Sequence, residues 1–195
     1  MPTIEPLRPR PDVLDFLLSR RSRPARTLTA PAPDRATLET ILTAAARCPD
    51  HGKLEPWRLV ALTGAAPGRV AGVAGDRAAV VAPEKADKLR ATFADAPCLV
   101  AVLVTLQPSE TIPEAEQILS AGAVCLSLLN AAAAAGYGAN WLTGALATDE
   151  TFLREALGGE AGQWAAGFVV IGTEGAVPPD RPRPDLRRVA RWIEA

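Results

Sequence analysis

The chain has 195 residues, and its 21 Lys and Arg against 22 Asp and Glu leave a formal net charge of −1. That length suits one domain, and 48% apolar with 22% charged residues is globular composition, which excludes an intrinsically disordered chain. The balanced charge removes the electrostatic motive for a nucleic-acid or anionic-membrane partner, and neither is expected.

Between Met1 and Pro11 prolines break the chain and no apolar signal segment is present, so residues 1–11 read as an N-terminal arm. Asp12 is placed to cap a short helix through Arg20, with Val13, Phe16 and Leu17 at helical spacing. Residues 22–33 read as a loop. Asp34 caps a second helix carrying Leu38, Ile41, Leu42 and Ala45, which Pro49 stops. A polar turn from Pro49 to Pro56 leads into a strand from Trp57 to Thr63. Residues 64–82, rich in Gly and Ala, give no clear period. Pro83 precedes a charged helix from Glu84 to Phe93.

Cys98 to Thr105 and Trp164 to Ile171 read as buried strands. Tyr137 to Leu142 is a further candidate strand, and Asp149 caps a helix that stops at Gly158-Gly159. Few strands among several helices point to an α+β domain over residues 12–195, whose C-terminal arm begins near residue 178. Cys48, Cys98 and Cys125 are odd in number and widely spaced, which is reduced usage and points to the cytoplasm.

The segment from Pro113 to Gly136 carries no charge after Glu116. Its length could span a bilayer, but Ser120, Ser127 and Asn130 interrupt it, alanine is weakly hydrophobic, and no basic anchors flank it. A long helix buried on all sides is the better reading. An uncharged helix of this kind would leave a large apolar patch on a monomer, so a two-fold interface is expected, with Leu128 near its axis.

Several chemistries find no motif. There is no P-loop, no Gly-x-Ser-x-Gly elbow, and no full dinucleotide fingerprint around Gly136-Tyr137-Gly138. His51 is the only histidine, and Cys48 nearby has no second metal-ligand pair to join it, so no metal site is expected. Four clusters remain. Arg20-Arg21-Ser22 is either a solvated helix end or an anion clamp, because guanidinium forks pair bidentately with phosphate oxygens. Arg47 to His51, with Glu55-Pro56-Trp57, is a helix stop or a ligand loop. Gly136 to Gly144 could let the backbone approach a flat ligand, with Trp141 and Thr143 along its edge. Arg181 and Arg183 are a solvated arm or a second pair of phosphate donors.

In this order the clusters resemble the nitroreductase family, over about Asp12 to Arg183, and in length the chain is similar to the short bacterial NAD(P)H-dependent members. The resemblance implies an α+β fold with a central mixed sheet flanked by helices, and a homodimer through long central helices with two FMN sites at the interface. It implies that Arg20, Arg21 and Ser22 hold the FMN phosphate and ribityl end, and that Arg47 and His51 reach the flavin from the partner subunit. Trp141, Leu142, Thr143 and Gly144 would line the isoalloxazine edge, Arg181 and Arg183 would touch the phosphate, and the turn from Ala131 to Gly136 would meet the nicotinamide dinucleotide. Two departures stand out: Lys53 and Glu55 replace the family's frequent Asn and Gln, and the loop after Ser22 carries Pro24.

The implied activity is ping-pong reduction of a small planar acceptor, a nitroaromatic or quinone, with NAD(P)H as co-substrate. The flavin performs the chemistry, so no protein acid or base is assigned a catalytic role. A flavin enzyme of other chemistry and a non-catalytic flavin-binding dimer are the alternatives.

Overall fold

The fold is built around strands that have no solvent-facing side. A computed structural model describes residue 4 and residues 6–194; residues 1–3 and 5 of the expected arm, and residue 195, lie outside the described residues. In β3 (Cys98–Val104) every residue is buried. Its side chains alternate between two cores: Cys98, Val100, Val102 and Val104 enter one, and Leu99, Ala101 and Leu103 the other. The 11-residue β5 (Trp164–Glu174) runs beside it. β2 (Trp57–Leu62) covers the other edge of β3, while β4 (Gly138–Leu142) and the two-residue β1 (Leu28–Thr29) share the far edge of β5. Every ladder is antiparallel, which corrects the expected mixed sheet.

Helices cover both faces. On one side lie α3 (Ala66–Val81), α4 (Ala86–Ala94) and α6 (Glu150–Leu157), around Phe93, Phe152 and Phe168. Those three rings pack edge to face with centroids 5.3, 5.4 and 6.0 Å apart, the arrangement their quadrupoles favour. On the other side lie α2 (Arg35–Ala45) and α5 (Glu114–Ala134).

Helix starts follow the sequence unevenly. Asp34 accepts from the Thr37 N–H at 2.8 Å and Asp149 from the Phe152 N–H at 2.7 Å, both as expected of capping residues. Asp12 does not cap. The helix α1 (Pro11–Ser19) starts two residues earlier than a cap at Asp12 would set it, with proline in its first turn, and the Asp12 carboxylate pairs instead with Arg10 at 3.2 Å. No residue of α1 is buried, and Val13, Leu14, Leu17 and Leu18 face solvent. The residues without a clear period form α3, whose glycines and alanines allow close packing. A Cβ on Gly75 would lie 2.3 Å from the Arg90 guanidinium carbon.

The long helix α5 is one-sided rather than buried all round. Val124, Cys125, Leu128 and Ala132 are fully enclosed against the sheet, whereas Leu119 is 73% and Leu126 46% exposed. By length and composition it could cross a membrane, with mean hydropathy 1.6, but its inner face belongs to the core. Leu128 therefore sits inside its own chain, not at a two-fold axis.

Asp149 does two jobs. Besides capping α6, its carboxylate takes a two-pronged bond from Arg77, at 3.0 and 2.8 Å, which holds its pKa below the usual carboxylate range. A depressed folded pKa means the stabilisation is present above the unfolded value, about pH 4, and is lost as pH falls through the folded value. Asp149→Ala should cost about 2–3 kcal/mol, the cap and the charge-assisted bonds together, read by urea unfolding at pH 7. The deficit should shrink as the comparison is repeated below pH 4.

Candidate functional site

The free edge of β4 is where the first cluster comes to rest. The Arg23 N–H donates to the Ala139 carbonyl at 2.9 Å, and Asn140 Nδ2 donates to the Arg23 carbonyl at 2.7 Å. The segment after α1 is thereby stitched alongside the strand. Gly138 has to be glycine for this: a Cβ there would come within 2.5 Å of Leu28 Cδ2 and 3.1 Å of Arg23 Cγ.

Stitching places Arg20, Arg21 and Ser22 against Asn140, and the C-terminal arm brings Arg181 and Arg183 to the same cleft, of about 220 Å³. Positive charge gathers there with few acids to balance it. Arg23 is taken up by Glu174, and Arg183 by Asp180 at 2.7 Å on the surface. Arg20 Nε and Arg21 Nη1 are buried with no hydrogen-bond acceptor, and Arg20 makes only a long 3.4 Å bond to Ser22 Oγ. Burial, and the neighbouring guanidiniums of Arg183, Arg23 and Arg181, push the Arg20 pKa down. An arginine cannot shed its proton to escape such a place, so the cleft suits an anion.

Further along β4 the surroundings change. Trp141 donates its Nε1–H to the Ala166 carbonyl at 3.0 Å. Ala166 is the extra residue of a β-bulge in β5, where Val102 pairs with Gly167 and Leu103 with Ala165. The indole lies against Gly167, where a Cβ would come 2.0 Å from Nε1. Leu142, Thr143 and Gly144 line a second cavity, about 230 Å³, with Phe93, Phe168, Lys85 and Lys88. From Asn140 to Thr143 the strand advances about 10 Å.

The remaining candidates fall elsewhere. Gly136, at the end of α5 with φ +84°, borders a cavity of about 300 Å³ behind Arg20 and Arg21. Ala131 lies half-buried on α5, in a groove against α1. Arg47 and His51 are exposed beside the other end of α5, where His51 Nδ1 meets Glu116 Oε2 at 2.8 Å. Glu116 and Ala133, which borders the Arg20 cavity, are 17 residues apart on one helix, about 25 Å. Within one chain His51 and Arg20 cannot meet one small ligand. Cys48 Sγ faces the Ser120 carbonyl at 3.7 Å, so it and His51 have different partners.

The turn that carries His51 is strained. Gly52, Lys53 and Glu55 all have positive φ, at +71°, +56° and +47°. For the two side-chain-bearing residues this costs on the order of 1–2 kcal/mol each. Asp50 holds the turn by accepting from the N–H groups of Leu54 at 3.2 Å and Glu55 at 2.9 Å. Sequence reasoning missed Asn140 as the stitch, Glu174 as the partner of Arg23, Asp50 as the clamp and Glu116. All but Asp50 act across the fold and leave no local signal; Asp50 holds amides only four and five residues on, beyond the two-residue reach of an Asx turn, so it too lacks a standard signature.

The family model described as "Nitroreductase family" matches residues 17–173. The chain belongs to the nitroreductase family. It is 35% identical over 164 residues to "Putative NAD(P)H nitroreductase YdjA" of Escherichia coli (strain K12), covering 83% of this chain and 88% of that one. A Haemophilus influenzae protein named "Putative NAD(P)H nitroreductase" is also 35% identical, over 167 residues with the same coverages. The fold is similar to a nitroreductase-like family protein from Bacillus cereus, with a TM-score of 0.79, 22% identity and full coverage of both chains. It is also similar to a nitroreductase with bound FMN from Bacteroides fragilis, with a TM-score of 0.74, 20% identity and coverages of 94% and 99%.

In this nitroreductase-family chain the arginine cleft should respond to an anion as simple as inorganic phosphate. At low ionic strength added phosphate should raise the melting temperature by mass action, and Arg20→Ala should remove most of the rise.

Proposed function

We propose that the chain is an FMN-dependent reductase that oxidises NAD(P)H and passes the electrons to a small planar acceptor such as a nitroaromatic or quinone. The observation that carries this reading is the pair of buried guanidinium nitrogens without acceptors, Arg20 Nε and Arg21 Nη1, in a cleft with Ser22, Asn140, Arg181 and Arg183. A phosphate monoester brings the oxygens these donors lack. The cavity at Leu142, Thr143 and Gly144, about 10 Å along the same strand, is where a ring system attached to that phosphate would lie.

The residues present fit FMN, and they divide its binding. Arg20, Arg21, Ser22, Arg181 and Arg183 neutralise the phosphate. Trp141, held by its bond to Ala166, and Leu142 to Gly144 would line the ring. Gly144, at φ +140° with nothing within 4 Å of a Cβ position, leaves its backbone open to close approach. Bound there, FMN would supply the hydride-transfer chemistry that links NAD(P)H oxidation to reduction of the acceptor. The protein positions the ring and excludes water; no side chain has to move a proton. Gly136 and the end of α5 from Ala131 would face the dinucleotide.

The working unit is a homodimer in the cytoplasm, which suits three free cysteines. A helix as short as α1 with no buried residue has little stability of its own. Its leucines, with Leu119 and Leu126 of α5, need a second surface, and the C-terminal arm leaves Leu186, Val189, Trp192 and Ile193 exposed as well. A second copy meets this need and brings its Arg47 and His51 to each cofactor. In this reading residues 12–195 act as one domain whose arm, from about 178, delivers Arg181 and Arg183.

Purified protein should be yellow and release FMN rather than FAD on denaturation, and NAD(P)H should bleach it. Arg20→Ala and Arg21→Ala should each weaken FMN by ten- to a hundredfold in titrations of apo-protein, the effect of a charge-assisted contact worth about 1.5–3 kcal/mol. Unchanged affinity in both would remove the phosphate assignment.

Leu119→Arg should separate the subunits and leave them folded, because surface substitutions move monomer stability by only about 0.5 kcal/mol. Leu128→Arg, which puts an unpaired charge in the chain's own core, should unfold it. Sedimentation equilibrium with circular dichroism tells the two apart.

A further inference from the structure

We propose that Glu116 is the positioning residue for His51, fixing the imidazole so that its Nε2 faces the cofactor site completed by a second copy of this chain. The proposal rests on the FMN-dimer reading above and adds to it a residue and a role.

Three observations converge on it. First, His51 Nδ1 and Glu116 Oε2 are 2.8 Å apart. An ionised carboxylate only accepts, so Nδ1 carries the proton, and in the neutral ring Nε2 is the bare nitrogen. A pair with side chains 65% and 48% exposed adds little to stability, so its effect lies in where the ring points.

Second, the backbone under the ring is over-determined. Asp50 clamps the turn through the Leu54 and Glu55 amides, and positive φ is held at Lys53 and Glu55. Ile112, from the loop leading into α5, closes over Gly52, where a Cβ would lie 2.3 Å from its Cδ1. Backbone strain held by its surroundings in this way is what a residue that must be aimed requires.

Third, Glu116 falls on the outward stripe of α5. Glu116, Leu119, Ala123 and Leu126 follow one another at three- and four-residue spacing, so they share one face. That face is the one a second copy would cover, and about 25 Å of helix separates it from this chain's own arginine cleft. The ring it holds is therefore directed at the other subunit's cofactor.

Because the chain has one histidine, a 15N spectrum of histidine-labelled protein shows a single imidazole. At a pH where the ring is neutral, the intact protein should show Nδ1 protonated and Nε2 bare, and Glu116→Ala should move the ring towards the opposite tautomer. FMN titration of the apo-dimer then gives a cycle. Glu116→Ala should weaken FMN about tenfold, Glu116→Gln should recover most of that, and in a His51→Ala background Glu116→Ala should have no further effect. A wild-type ring protonated on Nε2, or losses that simply add, would overturn the proposal. So would a His51→Ala protein that binds FMN as tightly as the intact one, which removes His51 from the cofactor site. The FMN reading fails separately, if the intact protein takes up no FMN at all.

Discussion

A guanidinium is the one common cation that cannot neutralise itself when water is taken away. At the end of α1 two of them lose part of their hydration without gaining an acceptor, and three more lie close by. The fold tolerates this because one neighbour, Arg23, is balanced by Glu174, and another, Arg183, by Asp180 at the surface. What is left over is a local positive potential at a fixed place on a sheet edge. The net charge of −1 for the whole chain gives no hint of it. Sign and burial at one point, rather than the total, select the ligand.

The strand β5 sets where that point falls. Its length lets it pair with β3 along one edge and with β4 and β1 in succession along the other. Stacking β4 and β1 end to end leaves the chain between α1 and β1 no course except beside β4, where Asn140 catches it. The bulge at Ala166 then frees a carbonyl for Trp141 just where the surroundings turn from arginine-lined to apolar. A ligand that is anionic at one end and flat at the other is matched by a single strand read along its length.

Much of this was legible in the sequence because it is local. Val-rich runs announce β3 and β5, and Asp34 and Asp149 cap as their spacing implies. Arg20-Arg21-Ser22 is recognisable as a cluster. The failures have physical causes. Asp12 was misread because Pro11 can open a helix without a side-chain cap. α3 was missed because its packing is done by Gly and Ala, whose small side chains carry no strong periodic signal. β1 is two residues within a proline-rich loop and exists only through pairing with Thr173 and Glu174. Lys53 and Glu55, noticed only as departures from a family habit of Asn and Gln, turn out to occupy positive φ, a region where Asn is among the better-tolerated side chains.

The reading of α5 shows where composition misleads. An uncharged stretch suggested burial on every side, yet alanine and glycine make such a stretch without making it uniformly apolar in effect. The sheet takes the face with Val124, Cys125 and Leu128, and the opposite face keeps Leu119 and Leu126 in contact with water. The expectation of a partner therefore needs a different basis from the one the sequence offered. It rests on an exposed stripe continued by the leucines of α1, while Leu128 belongs to the chain's own core. The two ends of that helix also carry different chemistry, an arginine cleft at one and a histidine turn at the other. Two copies joined antiparallel across this helix would bring the unlike ends together twice, giving two equivalent sites by symmetry. In that arrangement a single chain, with its ends about 25 Å apart, would hold half of each.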